Sequence, residues 1–98
     1  MQLSDFEMMK TESPKGVQAV LDFGKYYLSI IQNELSLGND RGLYEIAVYQ
    51  DGFYSADQIE LPGITEKNNT VKGFLTEKEV DNIIKKLYTL TKEIPTQV

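Results

Sequence analysis

The stretch GLYEIAVYQDGFYSADQIELPGITE, residues 42–66, decides the predicted fold. Two runs rich in β-branched and aromatic residues flank the pair Asp51-Gly52, a pattern typical of a β-hairpin. A three-residue turn over 50–52 places Tyr49 opposite Phe53 and gathers the apolar side chains on one face. The residues predicted to share that core-facing side are Tyr44, Ile46, Val48, Tyr54 and Ala56.

The same stretch, called the acidic hairpin below, holds five carboxylates and no Lys or Arg, whereas the rest of the chain mixes both signs. Mixed charges would serve solubility equally well, so this segregation indicates a surface that binds a basic partner protein. Tyrosine adds contact area to such a surface, and Tyr49 is the tyrosine predicted to face outward. The predicted protein-binding residues are Glu45, Tyr49, Asp51, Asp57, Glu60 and Glu66.

On the C-terminal side of the acidic hairpin, residues 71–75 predict a short third strand. Thr76 and Glu79 then have the spacing of a capping box, which predicts the start of a helix. An amphipathic stripe continues that helix until Pro95 ends it. The stripe consists of Val80, Ile83, Ile84, Leu87, Tyr88 and Ile94.

On the N-terminal side, Ser13-Pro14 is a helix start signal and Gly38 a stop signal, so we predict a first helix over 14–37. One stripe at helical spacing consists of Val17, Val20, Leu21, Gly24, Leu28, Ile31 and Leu35. A second apolar stripe consists of Phe23, Tyr26, Tyr27, Ile30 and Leu37. Either the second helix covers this second stripe, or a second copy of the chain does.

These elements predict an α+β fold in which a helix, a three-stranded antiparallel sheet and a second helix follow one another. Both helices pack on one face of the sheet. Residues 13–95 form a single small domain, preceded by an N-terminal arm or short helix at residues 1–12.

The composition excludes several classes of function. A net charge of −5 opposes direct binding of nucleic acid or of an anionic membrane surface. The chain has no Cys and no His, which removes disulfides, thiolate nucleophiles and the commonest general base and metal ligand. We therefore expect no cofactor and no metal site. No signal peptide or membrane-spanning run stands in the sequence, so we expect a cytoplasmic location.

An enzymatic alternative is a carboxylate pair for glycoside hydrolysis, drawn from Glu45, Asp57 and Glu60 of the acidic hairpin. With 15 carboxylates in 98 residues, some pairs must meet by chance. A domain of this size also leaves little room for a sugar cleft. The sequence therefore predicts a protein that is not an enzyme.

Small size, absence of Cys, acidic charge and the predicted order of elements resemble the small inhibitors carried by phages and mobile elements, some anti-CRISPR proteins among them. The resemblance lies in architecture and charge. It implies an inhibitor that occupies a basic, nucleic-acid-binding surface of a partner protein. Two alternatives remain: a homo-oligomeric accessory protein, such as a homodimer, that associates through the first helix, and an immunity or antitoxin protein that neutralises a basic toxin.

Overall fold

A computed structural model of the chain describes residues 1–50 and 57–98. These residues form a seven-stranded antiparallel sheet and one α-helix. The strands are β1 (Met9–Glu12), β2 (Lys15–Asp22), β3 (Tyr26–Asn33), β4 (Tyr44–Gln50), β5 (Gln58–Ile59), β6 (Val71–Leu75) and β7 (Thr96–Gln97), and the helix is α1 (Glu77–Thr91). Short 3₁₀ turns lie at Leu3–Asp5 and Asn39–Arg41.

The sheet is built around β2, β3 and β4, which pair in that order. Both β1 and β7 pair with β2, and both β5 and β6 pair with β4. The central register places Leu28 opposite Leu21 on one side and opposite Val48 on the other. Apolar side chains of three strands therefore meet on the same face of the sheet.

The predicted first helix over 14–37 is wrong, because this segment forms the hairpin of β2 and β3. Its turn is closed by Gly24, whose φ of +82° is a left-handed conformation that suits glycine, and Asp22 Oδ1 accepts a hydrogen bond from Gly24 N at 2.7 Å. The segment is rich in Val, Ile and Tyr, and these residues favour a half-buried strand surface. Residues 1–50 and 57–98 therefore form a sheet of seven strands with one α-helix, not two helices around three strands.

The apolar residues assigned to a second helical stripe now have a simpler explanation. Phe23, Tyr26 and Ile30 are buried in the core, while Leu37 is exposed. The helix through which self-association was predicted is therefore absent. Association of the chain with itself stays a prediction, without that interface.

The core lies between one face of the sheet and α1. The sheet contributes Leu21, Leu28, Ile30, Ile46, Val48 and Leu75, and the helix contributes Val80, Ile83, Ile84 and Leu87. Residues 1–12, predicted as an arm or short helix, place Leu3 in this core and β1 in the sheet.

Two local predictions on the C-terminal side are confirmed. The third predicted strand coincides with β6, and the capping box begins α1. Glu79 N donates to Thr76 Oγ1 at 3.2 Å, and Thr76 N donates to Glu79 Oε1 at 3.0 Å. Thr76 Oγ1 also donates to Glu79 Oε1 at 3.1 Å. The bonds that the Glu79 carboxyl accepts from the Thr76 backbone amide and hydroxyl hold its pKa below its ordinary value, because they stabilise the ionised form.

The first strand of the acidic hairpin forms as predicted, with Ile46 and Val48 buried. The predicted register is wrong, because Tyr49 pairs with Gln58 rather than with Phe53. The observed register places Ile59 opposite Val48, and the Ile59 side chain packs against the core. The predicted turn, with Asp51, Gly52, Phe53, Tyr54 and Ala56, lies outside the described residues.

Candidate binding face

The sheet face turned away from α1 is called the open face below. Its side chains alternate with the core-facing ones along each strand. The strand registers align them in three rows that cross the sheet. The rows are Asp22, Tyr27, Tyr49 and Gln58; then Val20, Ser29, Ala47 and Val71; then Gln18, Ile31 and Glu45.

A cleft follows from the sizes of these side chains. The middle row has its smallest members, Ser29 and Ala47, at its centre, and larger residues stand in the rows on either side. Ser29 is 4% exposed and Ala47 is 7% exposed, although no helix covers them in the part of the chain that the structure describes. The cleft has a volume of about 220 Å³. Its lining comprises Thr11, Ser13, Pro14, Gln18, Ser29, Ile31, Asn33, Glu45, Ala47, Tyr49 and Gln58.

Hydrogen bonds fix several of the polar side chains on this face. Gln18 Nε2 donates to Ser29 Oγ at 3.0 Å, across β2 and β3. Gln58 Nε2 donates to the Tyr49 hydroxyl at 3.0 Å, and Thr70 Oγ1 donates to Gln58 Oε1 at 3.0 Å. The walls of the cleft are therefore held in place before anything binds.

The charge on the open face has one sign. Asp22 and Glu45 are its charged residues among the described strand positions. The registers of Lys10, Lys15 and Lys72 put these residues on the core-facing side of their strands. The ion pair found within residues 1–50 and 57–98 joins the N-terminal amine to the Asp5 carboxylate. In the same residues, no cation pairs with the carboxylate of Asp22 or of Glu45.

Asp22 also changes the chemistry of its cross-strand neighbour, Tyr27. A hydrogen bond to the Asp22 carboxylate, and the negative charge of that carboxylate, raise the pKa of Tyr27 above its ordinary value. Both effects favour the protonated phenol. The hydroxyl therefore remains a hydrogen-bond donor through the neutral pH range.

We expect Asp22→Asn to lower the pKa of Tyr27 towards its ordinary value of about 10. The stabilisation from the protonated phenol is present below that pH and is lost as pH rises through the folded-state pKa. NMR titration of ¹³C-labelled tyrosine between pH 8 and 12 would measure the change. Asp40→Asn, which removes an exposed carboxylate from another part of the chain, should leave the Tyr27 titration unchanged. An equal shift in both variants would contradict a local effect of Asp22.

The structure places the predicted binding residues in different settings. It brings Glu45 and Tyr49 together in the cleft, where both are half-buried. Asp57 is exposed beside Gln58, and its carbonyl oxygen accepts a hydrogen bond from Gln50 N at 3.2 Å. Glu60 and Glu66 belong instead to the loop between β5 and β6 and its local bonds.

In that loop, Glu60 Oε2 accepts a hydrogen bond from Asn68 N at 2.6 Å. Glu66 is exposed, and its backbone amide donates to the Val71 carbonyl at 2.9 Å. Asp51 lies outside the described residues. Among the described acids of the acidic hairpin, Glu45 is the one that lines the cleft.

Sequence reasoning missed the part of this face that comes from β2 and β3. These residues are Gln18, Asp22, Tyr27, Ser29 and Asn33, all within the segment predicted as a helix. The signal that could have found them is a two-residue alternation. In 26–33, large apolar residues at Tyr26, Leu28 and Ile30 alternate with positions of mixed polarity, as they do in a strand with one buried face.

Further observations concern metals, membranes and relatives. Within residues 1–50 and 57–98, no three carboxylates come together in a group that could hold a metal ion. In the same residues, no helix is both long and apolar enough to cross a bilayer.

Comparison with known proteins found no matching family model, no matching curated protein and no matching solved structure.

Proposed function

We propose that the chain is a non-enzymatic protein-binding module and that its open face binds a basic segment of a partner protein. The observation that carries the proposal is the charge of this face. Glu45 is half-buried at the edge of the cleft, and no cation pairs with it in the described residues. A carboxylate that has no counter-ion on such a face attracts a basic partner and helps to fix its orientation.

The size of the cleft favours a protein over a small molecule as the partner. Its volume of about 220 Å³ lies below the roughly 300–1,000 Å³ typical of small-molecule sites. A shallow sheet face with two tyrosines and fixed polar side chains is suited to contact with another protein surface. The net charge of −5 favours a basic partner and opposes nucleic acid.

A nucleic-acid-binding surface of another protein is one basic surface of this kind, and we propose it as the class of target. This part of the proposal rests on charge. The predicted order of elements that resembled phage-borne inhibitors is absent, so that resemblance now extends only to small size, absence of Cys and acidic charge. An immunity or antitoxin protein would use the same acidic face against a basic toxin.

A matched pair of double variants tests the proposal. Asp22→Asn with Glu45→Gln removes two charges from the open face but keeps oxygen acceptors for Gly24 N and Leu37 N. Glu12→Gln with Glu93→Gln removes two exposed charges that do not line the cleft. Wild type and both variants would be immobilised, exposed to lysate of cells that produce the chain, and eluted with salt.

We expect the open-face variant to bind each captured protein about tenfold more weakly than wild type, with slower association, while the control variant binds normally. Raising the salt concentration should weaken wild-type binding, because exposed charges are screened. Thermal melting would establish that both variants remain folded. Equal capture by the two variants would show that the open face is only a solvated surface.

A further inference from the structure

Asn33 supplies a second and independent feature of the cleft. Its side chain lies in the lining although the residue is only 7% exposed. Oδ1 accepts a hydrogen bond from Leu35 N at 2.9 Å, but Nδ2 donates to no atom of the described residues. No side-chain nitrogen or oxygen sealed from solvent lacks a partner there, so Nδ2 is in contact with solvent. Asn33 is a lining residue, so a ligand that fills the cleft and displaces solvent from Nδ2 must supply an acceptor.

Glu45 supplies the opposite requirement in the same cleft. Its Oε1 accepts the Leu37 amide at 2.8 Å, which orients the carboxylate, and the carboxylate has further acceptor capacity. A ligand that satisfies both groups must bring a cationic donor for Glu45 and an acceptor for Asn33. One residue of an extended polypeptide brings both, since its side chain carries the charge and its backbone carries a carbonyl.

The remaining lining residues distinguish between the two basic side chains. Ile31 and Ala47 offer an apolar surface to a methylene stem. Tyr49 also lines the cleft, with its hydroxyl held by Gln58, and an aromatic ring is a group on which a planar cation can stack. Arginine combines a planar guanidinium, which stacks on aromatic rings, with a fork of donors that matches a carboxylate. The lysine ammonium is a strongly hydrated point charge and has neither property.

We propose that the cleft is a socket for a single arginine side chain presented on an extended segment of the partner protein. Glu45 binds the guanidinium, Tyr49 stacks against it, and Asn33 Nδ2 donates to a carbonyl of the segment. This inference rests on the proposed function, because it names the residue that the open face recognises. It adds a specificity that a merely acidic surface would not have.

Three short peptides test the socket without knowledge of the partner. The probe is acetyl-Gly-Gly-Arg-Gly-Gly-amide, and matched peptides carry Lys or the uncharged isostere citrulline in place of Arg. We expect the Arg peptide to shift the ¹H–¹⁵N signals of Ser29, Asn33, Glu45 and Ala47, at an affinity about tenfold above that of the Lys peptide. The citrulline peptide should cause no shift at these positions at the same concentration.

Two variants connect the effect to the cleft. Ala47→Leu fills the cleft floor without a change of charge, and Glu45→Gln removes the charge but keeps an acceptor for Leu37 N. We expect each of them to abolish the shifts, while Glu12→Gln leaves them intact, and circular dichroism would verify folding. Equal shifts with the Arg and Lys peptides, or shifts confined to other parts of the chain, would overturn the socket.

The two proposals fail in different ways. If the open-face variant loses its captured proteins while the Arg and Lys peptides behave alike, the socket is wrong and the binding face remains. If the Arg peptide binds in the cleft while capture does not depend on Asp22 and Glu45, the socket is supported and the proposed use of the whole face is wrong.

Discussion

Replacing Ile84 with Ala is expected to lower the free energy of unfolding by about 2–5 kcal/mol. Ile84 lies in the middle of α1, and its side chain is fully buried against the sheet. The substitution removes three carbon atoms from a packed interior. The loss therefore includes both the transfer free energy of those atoms and the cavity that they leave. Urea denaturation followed by far-UV circular dichroism would measure it.

Ile94 provides a matched control for this experiment. It is also an isoleucine, but it follows α1 and is 74% exposed. Ile94→Ala should change the free energy of unfolding by less than about 0.5 kcal/mol, as surface substitutions usually do. Similar losses in the two variants would contradict the packing of α1 on the sheet through this face.

The local parts of the fold could be predicted from the sequence because their signals are local. The capping box that begins α1 needs only Thr76 and Glu79, three residues apart, and both of its hydrogen bonds are present. In the same way, the large apolar residues Tyr44, Ile46 and Val48 of β4 alternate with positions of mixed polarity, and that alternation is typical of a strand. Neither signal depends on what a distant part of the chain does.

The hairpin of β2 and β3 could not be recognised so easily. Leu21 and Leu28 are seven residues apart, which corresponds to two helical turns, yet in the structure they face each other across a tight hairpin turn. The same spacing therefore fits a helix stripe and a hairpin pair. Pairing of β3 with β4 decides between them, and β4 is distant from β3 along the chain. The Val, Ile and Tyr content was the local evidence for strands.

The candidate site was predicted in part for the same reason. Glu45 and Tyr49 belong to β4, whose alternation was recognised, and both lie in the cleft. Ser29 and Asn33 belong to β3 and were missed along with the strand itself. Glu60 was predicted to join the same site because it lies in the acidic hairpin. Its carboxylate instead accepts a hydrogen bond from Asn68 N, a contact that position along the sequence did not predict.

Gly16→Ala is the substitution expected to disturb the sheet most directly, with a loss of about 3 kcal/mol in the free energy of unfolding, the upper end of the usual cost of overpacking. Gly16 pairs with Asn33, and a Cβ at Gly16 would lie far inside van der Waals contact of the Asn33 Cα and the Gln32 carbonyl oxygen. Both are backbone atoms, so relief requires β2 and β3 to move apart, which costs hydrogen bonds at this end of the β2–β3 ladder.

The control for this variant is Gly42→Ala. A Cβ at Gly42 meets nothing within 4 Å, so Gly42→Ala creates no steric clash. Its φ of +70° is left-handed, and the expected cost of placing Ala in that conformation is about 1–2 kcal/mol. Hydrogen exchange would locate the effect of Gly16→Ala, since amides of β2 and β3 should lose protection while those of α1 lose less. Because Asn33 also lines the cleft, the variant should weaken binding of the Arg peptide even where it remains folded. A Gly16→Ala protein as stable as Gly42→Ala, with intact protection in β2 and β3, would contradict the close pairing of these strands.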